Sequence, residues 1–170
     1  MATARDQSPS TEARVVSADG TEIAFEQSGS GPAVVLVASA LADRSDTARL
    51  AALLARHFTV INYDRRGRGA SGDAPAYAPD REIEDIAALV EHVGGSASLF
   101  GSSSGAVLAL RAAAAGVNVE RLALYEPPFG LAGGHPGAPR GDAQQISPMD
   151  GVRPPSDPVT YLKSLVHGKA

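Results

Sequence analysis

A chain of 170 residues with 44% hydrophobic content can bury one substantial core, so a single domain is expected. Its net charge of -4 offers no excess of cations to neutralise phosphates, which argues against nucleic acid as a partner. With no cysteine, disulfides, thiolate nucleophiles and zinc-thiolate sites are excluded.

No apolar run approaches the roughly 20 residues that a bilayer span requires. The longest, around 106–115, is interrupted by Arg111. The opening MATARDQSPSTEAR has no hydrophobic segment of signal-peptide type, so a cytoplasmic chain with a disordered tail over 1–13 is expected.

From Arg14 onward, strand-like and helix-like segments alternate. RVVSADGTEIAFEQSG reads as two strands joined through Asp19-Gly20, a hairpin turn signal. AVVLVAS, 33–39, is a continuous apolar run, as suits a parallel strand covered on both faces. Leu50, Leu53, Leu54 and His57 then repeat at helical spacing.

FTVINYD, 58–64, is the next strand, and the loop RRGRGASGD follows it. Ile83, Ile86, Ala87, Val90 and Val93 line one face of a second helix, which Gly94-Gly95 stops. ASLFG is a third buried strand, SGAVLALRAAAAG a third helix, and ERLALYEPP a strand ended by proline. This alternation is the signature of an α/β fold: a predominantly parallel sheet with helices on both faces.

The stretch LFGSSSGAVLALR, 99–111, holds Gly101-Ser102-Ser103-Ser104-Gly105. Taken alone, those five residues read as a flexible linker. Their apolar flanks make them instead a G-x-S-x-G turn between strand and helix, the setting that exposes a serine nucleophile. Ser103 would stand above the strand ends, flanked by Gly101 and Gly105, where a side chain would clash. The N–H of Ser104 would point from the helix N-terminus toward a developing oxyanion.

VVLVASALADRSD, INYDRRGRGASGD, LFGSSSGAVLALR and LALYEPPF, in this order and spacing, resemble the N-terminal part of the α/β-hydrolase fold family over about residues 14–129. The resemblance implies a cofactor-free, metal-free hydrolase of small ester, lactone or related acyl substrates. In that family His-Gly-x commonly follows the third strand, and the N–H of x is the second oxyanion donor. The matching positions here are Ala38, Ser39 and Ala40, so the resemblance assigns the oxyanion hole to the N–H groups of Ala40 and Ser104. It also makes DRRGRGASGD a structural loop, with Arg65, Arg66 and Arg68 bracing its neighbours. No Walker lysine and no G-x-G-x-x-G opening a helix supports a phosphate site there.

A nucleophilic serine needs a base, and the base needs an orienting acid. Family order runs nucleophile, acid, histidine, which directs the search beyond Ser103. Glu126, at the end of RLALY, is the first acid candidate, against a solvated or capping glutamate before Pro127-Pro128. Asp142, Asp150 and Asp157 are weaker, and Asp157 followed by Pro158 reads as the N-cap of a last helix over 158–170. His57 and His92 precede the serine and read as helix residues. His135 lies in a glycine- and proline-rich stretch, which leaves His167, after Tyr161, Leu162, Leu165 and Val166, as the candidate base.

Residues 130–157 are rich in proline and glycine and have little apolar periodicity, so an irregular segment is expected there. The family core normally continues with further strand and helix units, and their lack leaves RLALY as an unpaired edge open to self-association. Two readings follow: a serine hydrolase acting through a Ser103 acyl-enzyme, and a truncated, non-catalytic fragment or interaction module without a functional histidine base.

Overall fold

A computed structural model describes residues 10–128 of the chain. The expected irregular segment, the expected last helix, Asp142, Asp150, Asp157, His135 and His167 lie outside the described residues.

The opening hairpin pairs β1 (Thr11–Val16) with β2 (Glu22–Ser28) antiparallel, with Val16 opposite Glu22. β1 starts ahead of Arg14 because Thr11 and Glu12 still find partners in Gln27 and Glu26. Four more strands follow: β3 (Ala33–Val37), β4 (Thr59–Tyr63), β5 (Ala97–Ser102) and β6 (Val119–Tyr125). The sheet order is β1-β2-β4-β3-β5-β6. Pairing is antiparallel from β1 to β4 and parallel from β4 through β6. The hairpin is thus appended to a parallel sheet whose strands end together on one side.

Three helices make the crossovers: α1 (Arg44–Leu54), α2 (Pro79–His92) and α3 (Ser104–Ala114). The period of two along β3 assigns its residues to opposite faces. Val35 and Val37 join Ile61, Tyr63, Ile86, Leu89 and Leu108 in the larger core, under α2 and α3. Val34 and Leu36 meet Val60 and Ala51 under α1. Helices therefore cover both faces, as the alternation predicts. β6 forms the edge of the described sheet, and its alternate residues are exposed.

One helix reading is corrected and one is extended. α1 stops at Leu54, whose carbonyl accepts from both His57 and Phe58 N–H at 2.9 Å, so His57 sits in the turn into β4 rather than on the helix. On α2, the buried stripe includes Glu82 and Asp85 beside Ile86, Leu89 and Val90, whereas Ile83, Ala87 and Val93 are only partly buried. Two carboxylates thus share the face that α2 turns inward, where Ile83 and Val93 also pack against the core.

Among the described residues no helix is long and apolar enough to cross a membrane. Tyr63 is fully buried, its hydroxyl finds no hydrogen-bond partner among the described residues, and burial pushes its pKa upward. An unpaired buried hydroxyl costs about 1–3 kcal/mol. Tyr63→Phe, which keeps the ring and removes that hydroxyl, is expected to raise the unfolding free energy by about 1 kcal/mol in urea titration.

Candidate active site

β5 runs between β3 and β6, and its end is where the chain changes direction. Ser103 makes the change with φ 51° and ψ −121°, and α3 begins at the next residue. A non-glycine residue held there costs on the order of 1–3 kcal/mol and persists only where its surroundings over-determine it. Those surroundings are visible: the Ser103 N–H donates to Tyr125 O at 2.9 Å, and its carbonyl accepts from Ala106 at 3.0 Å. The Ser103 side chain caps no helix N–H and stands exposed.

The two glycines are required by contact. A Cβ on Gly101 would lie 2.5 Å from Ala106 Cα, so β5 and α3 close on one another only without it. A Cβ on Gly105 would overlap the carbonyl oxygens of Val37 and Ala38. Gly105 thus lets the first turn of α3 rest against the end of β3.

Ala40 and Ser104 follow the paired ends of β3 and β5. Val37 pairs with Gly101, and each residue lies three positions beyond its member of that pair. Ser104 opens α3, so its N–H is among those an α-helix leaves without an intrahelical partner. Ala40 lies in the turn after β3 and lines a cavity of about 640 Å³. Leu41, Arg68, Pro75 and Tyr77 also line it, while Ser103 does not.

Glu126 follows β6 as Ser103 follows β5, since Ser102 and Tyr125 are paired. It is exposed, with φ 47°. A left-handed conformation immediately before proline departs from the extended backbone that proline imposes on its predecessor. Ser103 and Glu126 are the two non-glycine residues with positive φ among the described residues, and they occupy adjoining strand ends.

Among the described residues, neither histidine joins them. His57 precedes β4, and His92 ends α2, its Nε2 3.4 Å from Gln27 Oε1 and its ring edge-on to Phe25 at 4.9 Å. His92 shares a cavity of about 540 Å³ with Ala33, Thr59 and Glu120, where the parallel strands begin. At about 3.3 Å per residue, the six residues of β5 put roughly 20 Å between that side and Ser103.

The loop after β4 reaches the site through Arg65. Its Nε and Nη2 donate to Glu82 at 2.5 and 2.6 Å. Its Nη1 donates to Ala38 O at 3.2 Å and Ser104 Oγ at 3.3 Å. Burial alone would lower the Arg65 pKa, but hydrogen bonding and the charge of Glu82 hold it above the ordinary value. Arg66 forms a parallel pair with Asp85, at 2.8 and 2.6 Å, and also donates to Asp19 at 2.8 Å. Arg68 donates to Arg66 O at 3.2 Å. Asp64 accepts from Arg44 N–H and Ala70 N–H, each at 2.9 Å, closing the loop against α1.

Neither Glu82 nor Asp85 was among the sequence-predicted site residues. The signal that finds them is two carboxylates three residues apart on a helix that follows an Arg-Arg pair at a strand end.

Comparison with known proteins bears on this arrangement directly. A family model described as alpha/beta hydrolase family matches residues 28–167. The chain belongs to the alpha/beta hydrolase family. A solved alpha/beta hydrolase from Sphaerobacter thermophilus DSM 20745 is 58% identical, with a TM-score of 0.72 over 75% of this chain and 50% of that one. The esterase RhEst1 from Rhodococcus sp. ECU1013 is 26% identical, with a TM-score of 0.62 over 66% of this chain and 44% of its own. Among curated proteins, the uncharacterized hydrolase YraK of Bacillus subtilis (strain 168) is 36% identical over 95 residues, 54% of this chain and 35% of YraK. The chain thus spans about half of the similar alpha/beta hydrolase structure and about a third of YraK.

Proposed function

We propose that the chain is a serine hydrolase of small ester, lactone or related acyl substrates, acting through a Ser103 acyl-enzyme. The observation that carries the reading is Ser103 itself, exposed at φ 51° and ψ −121° at a strand-to-helix turn that only glycines at 101 and 105 permit. The likeness to the esterase RhEst1 supports the acyl chemistry.

Ser103 Oγ attacks the acyl carbon and yields its proton to a histidine. The N–H groups of Ala40 and Ser104 receive the oxyanion, and the leaving alcohol departs with the proton from that histidine. Water then attacks the acyl-enzyme and restores the serine. Glu126, strained at the neighbouring strand end, is the orienting acid, and His167 is the base. No cofactor takes part.

The second reading, a non-catalytic fragment or interaction module, is favoured by the position of His57 and His92 on the far side of the sheet. A fluorophosphonate probe and intact-mass measurement separate the two. Stoichiometric labelling that disappears in Ser103→Ala is the expected result. A folded protein that takes no label sinks the hydrolase reading.

A further inference from the structure

Three loops meet above the ends of β4, β3 and β5, and one side chain touches all of them. Arg65 comes from the loop after β4, Ala38 opens the loop that carries Ala40, and Ser104 opens α3. The two N–H groups assigned to the oxyanion hole therefore belong to separate segments, which meet where Gly105 rests on the end of β3. The usefulness of such a pair depends on their mutual position to within about 0.5 Å.

We infer that Arg65 is a positioning residue for the oxyanion hole, its Nη1 bridging Ala38 O and Ser104 Oγ while buried Glu82 holds the guanidinium rigid. The inference rests on the Ser103 hydrolase reading and adds to it a part that the G-x-S-x-G motif does not contain.

The geometry favours position over charge. Glu82 neutralises the guanidinium through two short hydrogen bonds, both side chains being nearly fully buried, so the pair brings little net field to an oxyanion. What remains is the fork: with Nε and Nη2 taken by Glu82, Nη1 is left aimed at the two loops. A lysine at 65 would carry the same charge without that fixed direction. Arg66, one residue on, is occupied by Asp85, Asp19 and Arg81 O and does not reach either loop.

A buried ion pair can often be replaced by apolar residues with little loss of stability, which separates positioning from folding. In Arg65→Met/Glu82→Leu, the thermal midpoint is expected to stay near that of the parent, while the rate of fluorophosphonate labelling at Ser103 falls about 100-fold. Ser104→Ala keeps the backbone N–H and removes only the Oγ acceptor. It is expected to fold as the parent does and to label about 10-fold more slowly, with no added effect in the pair-replaced background. A labelled parent whose Ser104→Ala or pair-replaced variant reacts at the parent rate overturns the positioning role alone. A folded parent that takes no label overturns the hydrolase reading and this inference with it.

Discussion

Gly105→Ala is expected to destabilise the protein by about 3 kcal/mol and to slow Ser103 labelling by about 100-fold. On an exposed helix the same change would stabilise, because alanine is the better helix former by about 0.5–1 kcal/mol. Here contact outweighs propensity. The new methyl would overlap the carbonyl oxygens of Val37 and Ala38, and both are backbone atoms of a strand or its immediate continuation. A flexible side chain could swing away, but β3 is paired on both edges and cannot yield. α3 must move instead, carrying the Ser104 N–H away from Ala40. Urea denaturation and probe kinetics on one sample test both halves. A variant of unchanged midpoint and unchanged labelling rate would show that the α3 contact with β3 sets neither.

This dependence was partly legible in the sequence. Gly101, Ser103 and Gly105 are local, and a five-residue motif with apolar flanks was enough to place them between a strand and a helix. The sheet was legible for a similar reason: the apolar run at 33–39 read as a strand covered on both faces and 58–64 as the next strand, and they became β3 and β4. The two carboxylates of α2 were not. Apolar periodicity marks the face a helix buries, and Glu82 and Asp85 carry no apolar signal, although they are among the most buried residues of α2. Their burial is caused by Arg65 and Arg66, 17 and 19 residues earlier and on a different element. Charge pairing across such a distance leaves no period. The histidines show the converse: His57 and His92 are visible in the sequence, but only the strand direction places them on the side away from Ser103.

Asp85→Ala is expected to cost about 3–5 kcal/mol, because it leaves the Arg66 guanidinium buried with its main partner gone. Arg66 and Asp85 expose 2% and 1% of their side chains, so water does not replace the lost carboxylate. The bonding is bidentate, through Nε and Nη2, and Asp19 reaches only the outer face of the fork, through Nη1 at 2.8 Å and Nη2 at 3.5 Å. Asp19 is itself held well below the usual carboxylate range, chiefly by its hydrogen bond from Arg66 and then by Thr21 N–H. It therefore stays charged in mild acid and keeps part of the guanidinium satisfied when Asp85 is gone. This predicts an order of effects. Asp19→Ala is the milder loss, Asp85→Ala the larger, and Arg66→Met/Asp85→Leu recovers most of the deficit by removing both charges together. Against a total stability of about 5–15 kcal/mol, the Asp85→Ala loss is large enough to read as a drop of roughly 10 °C or more in thermal midpoint. Equal midpoints for Asp85→Ala and the double variant would mean that the buried cation is satisfied by other groups, and that the clamp between α2 and the loop after β4 does not depend on this pair.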